Sequence, residues 1–79
     1  MNEYFDIYEI ISMNIKKYRK EKGMTQEELA IKSCYTWEYI RRIESRKAKK
    51  SFSLSTIINI ANVLEIPVEK LLKKEESGK

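Results

Sequence analysis

Apolar side chains recur every three or four residues along most of this chain, which is the spacing of one face of an α-helix. The first series is Tyr4, Ile7, Tyr8, Ile11, Ile15 and Tyr18, with Phe5 and Ile10 beside it. A short pair, Ile40 and Ile43, has the same spacing. A longer stripe is Leu54, Ile57, Ile58, Ala61 and Leu64, with Ile60 and Val63 on a second face. The pattern predicts an all-α fold.

Residues 25–44 predict two helices joined by a tight turn. Thr25 and Glu28 have the spacing of a capping box, in which each side chain accepts from the other residue's backbone N–H. The helical spacing breaks at residues 33–35, and Thr36 then offers a second N-cap. Ala30 is small enough to let the two helices cross closely. This stretch organises the rest of the chain.

The second of these helices, predicted over residues 36–45, has a polar outer side. Trp37, Glu38, Arg41 and Arg42 fall there, opposite the apolar pair. A short helix that is apolar only on its inner edge suits insertion into a DNA major groove.

Local signals predict the flanking elements. Gly23 ends the first helix, Ser53 caps a fourth, and Pro67 suits the first position of a short fifth helix. The polar residues 73–79 are expected to form a flexible tail. We therefore expect one domain over residues 1–79, with a core of about 11–72.

The stretch Thr25 to Glu44 resembles the helix-turn-helix of the XRE/Cro family, the lambda-repressor-like DNA-binding domains. The matching residues are Thr25-Gln26-Glu27-Glu28-Leu29-Ala30, Tyr35-Thr36, Tyr39-Ile40 and Arg42-Ile43-Glu44. Similarity continues outside the motif, through Ile15-Lys16-Lys17-Tyr18-Arg19, Lys22-Gly23-Met24, Ser53-Leu54 to Leu64, Ile66-Pro67 and Leu71-Leu72. The resemblance implies a compact five-helix fold. One departure is Cys34, which stands where the family usually has a turn glycine.

Charge is concentrated where the motif lies. Residues 1–15 carry three acids and no base, residues 16–50 carry twelve bases and five acids, and residues 51–79 carry four of each. The net charges are therefore −3, +7 and 0, which sum to +4. A basic segment of this kind is typical of proteins with a polyanionic partner.

Composition excludes several other functions. The chain has no histidine, a single cysteine and no phosphate-cradling glycine motif, so we expect no enzyme activity, no metal and no cofactor. A regulator this short is expected to lack room for a ligand-sensing domain, so we expect no small-molecule ligand. A single cysteine fits a reducing compartment, and no apolar run approaches the ~20 residues of a membrane span. We therefore expect a cytoplasmic protein that does not enter a membrane, and the family resemblance implies a bacterial or phage-like source.

The resemblance implies double-stranded DNA as partner and assigns roles on the motif. The residues expected to contact bases are Trp37, Glu38, Arg41 and Arg42. Those expected to contact phosphates are Gln26, Thr36, Tyr39, Arg46, Lys47, Lys49 and Lys50. Alternatives stay open, because Trp37 and Tyr39 can instead fill the core and the basic loop 46–50 can be a solvated surface.

Two further expectations concern assembly. Arg19 and Glu44 match positions that form an internal ion pair in the family, although both can instead be solvated. Ile66, Val68 and Leu72 form the expected homodimer interface, and the N-terminal aromatics serve either that interface or the core. The favoured function is a transcriptional regulator that binds a palindromic operator, similar to restriction–modification controller proteins. The alternative is an antitoxin-type protein-interaction module.

Overall fold

The computed structural model describes residues 7–45 and 51–74. They form five α-helices: α1 (Ile7–Glu21), α2 (Gln26–Ser33), α3 (Trp37–Glu44), α4 (Leu54–Leu64) and α5 (Glu69–Leu72). No strand occurs within these described ranges. The predicted all-α, five-helix fold is confirmed. The N-terminal aromatics Tyr4 and Phe5 and the residues 75–79 of the predicted tail lie outside the described residues.

The turn between α2 and α3 is built as the local sequence predicts. The Thr25 side chain accepts from the Glu28 backbone N–H, and the Glu28 carboxylate accepts from that of Thr25. Cys34 ends α2 in the left-handed conformation, with φ +64° and ψ +35°. The N–H of Tyr35 donates a hydrogen bond to the Ala30 carbonyl. Thus the backbone conformation that favours glycine is retained although the residue is cysteine.

All five helices contribute to one core. Its fully buried large side chains are Ile11, Ile15, Leu29, Ile40, Ile43, Ile60, Leu64 and Leu71. Ala30, which is only 3% exposed, lies between α2 and its neighbours as its small size predicts. The core therefore holds α3 by its apolar inner edge, at Ile40 and Ile43.

The predicted buried face of α4 is partly wrong. Ile60 was expected on a second face but is fully buried, whereas Leu54 is 65% exposed and Ile58 is 42% exposed. The side chain of Asn59 donates to the Ser33 carbonyl at 2.9 Å, which holds this side of α4 toward α2. Apolar residues surround most of α4, so their spacing alone did not determine the helix rotation.

Helix α1 contacts Phe52, which precedes α4, and the C-terminal end of α5. It already begins at Ile7, earlier than the family resemblance required, and the Tyr8 ring meets Phe52 edge-on at 5.1 Å. Buried Asn14 donates to the carbonyls of Leu71 and Lys73 at 2.9 and 2.8 Å. These bonds cap the C-terminal end of α5, which has no side-chain cap at its start.

The start of α5 differs from the prediction. The helix begins at Glu69 after Val68, so Pro67 precedes it instead of occupying its first position. Pro67 still serves the first turn, because its carbonyl accepts from the Lys70 N–H at 3.0 Å.

In the described part of the chain, no helix combines the length and the apolar character that crossing a bilayer requires.

Candidate nucleic-acid interface

The outer side of α3 is polar and accessible. Thr36 caps the helix by accepting from the Tyr39 N–H at 3.1 Å, so the helix proper spans Trp37–Glu44, one residue shorter at each end than predicted. Glu38, Arg41 and Arg42 are exposed, and Trp37 is 42% exposed. The structure therefore places all four predicted base-contacting residues in contact with solvent.

A buried polar cluster fixes the other end of α3. The carboxylate of Glu44 accepts from Nε and Nη2 of Arg19 at 2.7 and 2.9 Å, and from Nε2 of Gln26 at 2.9 Å. Arg19 Nη1 donates to the Met24 carbonyl at 2.7 Å, and the side chains of Arg19 and Glu44 are only 8% and 2% exposed. This cluster joins α1, the start of α2 and the end of α3.

A second contact joins α1 to the same end of α3. Ser12, itself buried, donates its hydroxyl to the carbonyl of Ile43. Together with the ion pair, this bond limits rotation of α3 about its axis, which sets the direction of the outward side chains.

The exposed arginine nearest the start of α3 rests on an aromatic ring. The Arg41 guanidinium carbon lies 4.9 Å from the centroid of the Trp37 ring. This distance is within the ~6 Å over which a cation is attracted to an aromatic face. Trp37 therefore neither fills the core nor stands alone on the surface.

A concave cleft of about 550 Å³ runs beside α3. Its lining residues come from α1, α2 and α3 and from the residue that follows α3: Lys16, Gln26, Glu38, Arg41, Arg42, Glu44 and Ser45. One of the two carboxylates, that of Glu44, is paired with buried Arg19, so the accessible cleft has an excess of positive charge. Such a cleft can accept a phosphate group.

Lys16 is a basic cleft residue that the sequence pattern did not assign to DNA. It lies on α1, three residues before Arg19 and 25 residues before Arg41 of α3. Its sequence signals were its place at the start of the basic segment 16–22 and in the run Ile15-Lys16-Lys17-Tyr18-Arg19, which resembles the family. Its proximity to α3 depends on how the helices pack, which the basic segment alone does not show.

The predicted phosphate-contacting residues have different surroundings. Gln26 uses its side-chain amide on Glu44, and Thr36 uses its hydroxyl oxygen as a cap. Tyr39 is half-buried, with its ring centroid 4.9 Å from that of Tyr35. The remaining four, Arg46, Lys47, Lys49 and Lys50, lie outside the described residues.

The predicted dimer residues are not equally accessible. Ile66 and Val68 are half-buried and pack against the core of their own chain, whereas Leu72 is 40% exposed. Leu54 and Ile58 add exposed apolar surface on α4.

Two helices crossing at a tight turn, with an exposed polar second helix beside a basic cleft, define a helix-turn-helix DNA-binding protein. The Helix-turn-helix family model HTH_3 matches residues 15–71. The control protein C.SmaI of Serratia marcescens is 35% identical over 72 residues, covering 91% of this chain and 83% of that protein. SinR of Bacillus licheniformis, a helix-turn-helix transcriptional regulator, is 34% identical over 67 residues, and the match spans 85% of this chain but only 60% of SinR.

Solved structures agree with these matches. A crystal structure of SinR, described as the master regulator for biofilm formation and in complex with DNA, is 36% identical with a TM-score of 0.73, covering 80% of this chain and 98% of that one. The restriction–modification controller protein C.Esp1396I is 36% identical with a TM-score of 0.75, covering 90% and 95%. This chain belongs to the XRE-type helix-turn-helix family of DNA-binding transcriptional regulators.

Proposed function

We propose that this protein is a sequence-specific transcriptional regulator that binds a palindromic operator as a homodimer. The observation that carries the proposal is the exposed polar side of α3, held by a buried ion pair beside a cleft with excess positive charge. Its relatives include a control protein and a regulator crystallised with DNA, which supports double-stranded DNA as the partner.

In this proposal α3 enters the major groove and reads base edges. Arg41 and Arg42 have the guanidinium geometry that grips O6 and N7 of guanine, and Glu38 can accept from the amino group of cytosine. Within the described residues, the Glu38 carboxylate pairs with neither arginine, so it is available to a base.

Phosphate contacts would place α3 in the groove without reading sequence. Gln26 and Lys16 line the cleft from two different helices, and Thr36 lies at the start of α3. Tyr39 and the basic residues Arg46, Lys47, Lys49 and Lys50 complete the proposed set. Gln26 is already fixed by Glu44, which leaves the second N–H of its amide for a phosphate oxygen.

The proposed dimer follows from apolar surface that the core leaves uncovered. Leu72 of α5 is 40% exposed, and it continues beyond the half-buried Ile66 and Val68. A two-fold dimer would place two α3 helices in successive major grooves, about 34–36 Å apart, and so would require a palindromic operator.

Two substitutions test the roles on DNA. Arg41→Ala should relax base preference at one operator position, costing about 1–3 kcal/mol of discrimination there. Lys16→Ala should weaken binding to all sequences equally and lower the salt slope by about one. Both are measured by fluorescence anisotropy on a set of single-base operator variants. A uniform loss for Arg41→Ala, or an unchanged salt slope for Lys16→Ala, contradicts the assigned role.

The dimer has its own test with a matched control. Leu72→Glu should dissociate the dimer in sedimentation equilibrium, whereas Ile31→Glu should not, although Ile31 is 76% exposed and equally apolar. A dimer that persists in Leu72→Glu would place the interface elsewhere.

A further inference from the structure

We infer that Trp37 is a positioning residue for sequence reading, which acts by holding the Arg41 guanidinium and not by contacting DNA itself. This inference deepens the proposed function and rests on it, because it assumes that Arg41 reads a base edge. The sequence left Trp37 between base contact and core filling. The structure provides a third role.

The geometry places the two side chains as a pair. Trp37 is the first residue of α3 and Arg41 lies four residues later, so both are on the same side of the helix. The guanidinium carbon is 4.9 Å from the ring centroid. A planar guanidinium that lies over a ring keeps its N–H donors at its edge, where they remain free to bind O6 and N7 of a guanine.

No other contact in the described structure orients Arg41. Within residues 7–45 and 51–74, no carboxylate pairs with it, and Glu38 in the preceding turn is not bonded to it. Arg42, the next residue, has no aromatic ring beneath it in the same ranges and provides a natural control.

The physical consequence is a smaller loss of side-chain freedom when DNA binds. A long exposed arginine normally loses much of its rotamer freedom on contact, whereas a stacked one has already lost part of it. The stacked arrangement should therefore improve discrimination at the guanine that Arg41 reads, by a factor of about two to five for an exposed cation–π contact.

A double-mutant cycle tests the inference on a selected operator and on its variant with the guanine replaced. Trp37→Ala should reduce the affinity ratio of the two sites about two- to fivefold in the wild-type background, and should have no effect on that ratio in Arg41→Ala. Trp37→Phe keeps a ring and should retain most of the discrimination. An equal loss in both backgrounds would show that Trp37 acts without Arg41 and would overturn the inference.

A second measurement needs no DNA and keeps Trp37 in place. Trp37 is the sole tryptophan, so its fluorescence reports directly on its ring. Arg41→Ala should shift the intensity or wavelength of emission, and Arg42→Ala should leave both unchanged. Emission that is unaltered in Arg41→Ala would show that the pair does not form in solution. If the emission shifts but Arg41→Ala leaves base preference intact, the arginine does not read a base and the inference fails. The proposed function would still be upheld in that case if the wild-type protein enriches an operator from a DNA library.

Discussion

Replacing Glu44 with alanine should destabilise this domain far more than any exposed carboxylate substitution. Glu44 accepts two hydrogen bonds from Arg19 and one from Gln26, and its side chain is 2% exposed. Without it, the Arg19 guanidinium keeps its bond to the Met24 carbonyl but stays buried without a counter-charge. The burial of an unpaired charge is the dominant cost.

The size of the effect follows from that burial. Removing one partner of a buried ion pair costs about 3–5 kcal/mol. A 79-residue domain has a total stability of about 4–12 kcal/mol, so the substitution would remove much or all of it. At about 4–8 °C per kcal/mol for a domain of this size, the melting temperature should fall by at least about 12 °C.

Thermal unfolding followed by circular dichroism measures this change. Glu38→Ala is the matched control, because the same residue type lies exposed on the same helix and its loss should change stability by less than about 0.5 kcal/mol. The double variant Arg19→Met/Glu44→Leu should recover much of the loss, since an apolar pair needs no counter-charge. A loss below about 1 kcal/mol in Glu44→Ala would refute the argument, because it would mean that water replaces the missing carboxylate.

The remaining predictions concern other local contacts. Asn14→Ala should lower stability by about 1–3 kcal/mol in urea unfolding, because two carbonyls at the end of α5 lose their buried donor; an unchanged midpoint would contradict this. Cys34→Gly should raise stability by about 1 kcal/mol, because φ is +64° at this exposed residue, and a lower melting temperature would contradict the strain argument. The hydrogen bond from Lys22 lowers the pKa of Glu65 from its ordinary value of 4.5, so Lys22→Ala should raise that pKa in an NMR titration. Because folding lowers the pKa of Glu65, the pair stabilises the protein at pH values above the ordinary carboxyl pKa, and this contribution is lost as the pH falls through the pKa of the folded state. An unchanged pKa of Glu65 in Lys22→Ala would show that the hydrogen bond does not persist in solution.

The elements whose causes are local were predictable from the sequence. Thr25, Thr36 and Ser53 each cap a helix where the residue pattern placed them, since a capping bond reaches only two or three residues along the chain. The left-handed turn was predictable at Cys34 only through the family resemblance, because nothing in the properties of cysteine indicates a positive φ.

Features that depend on packing between residues distant in sequence could not be predicted from local sequence. The rotation of α4, which buries Ile60 and exposes Leu54, depends on which neighbour α4 meets. The position of Lys16 in the cleft and the stacking of Arg41 on Trp37 depend on tertiary arrangement and side-chain rotamers. Identifying the polar side of α3 required only the helical period, but identifying how its residues cooperate required the structure.

The most direct test of the central claim begins by selecting binding sites from a random DNA library with the purified protein. The affinity for the selected site is then measured as a function of salt concentration. We predict an enriched palindrome with half-sites about one helical turn apart, bound with an affinity that falls steeply as salt rises. Salt-sensitive binding without any enriched sequence would contradict the claim, because it would mean that Trp37, Glu38, Arg41 and Arg42 do not contribute to reading bases.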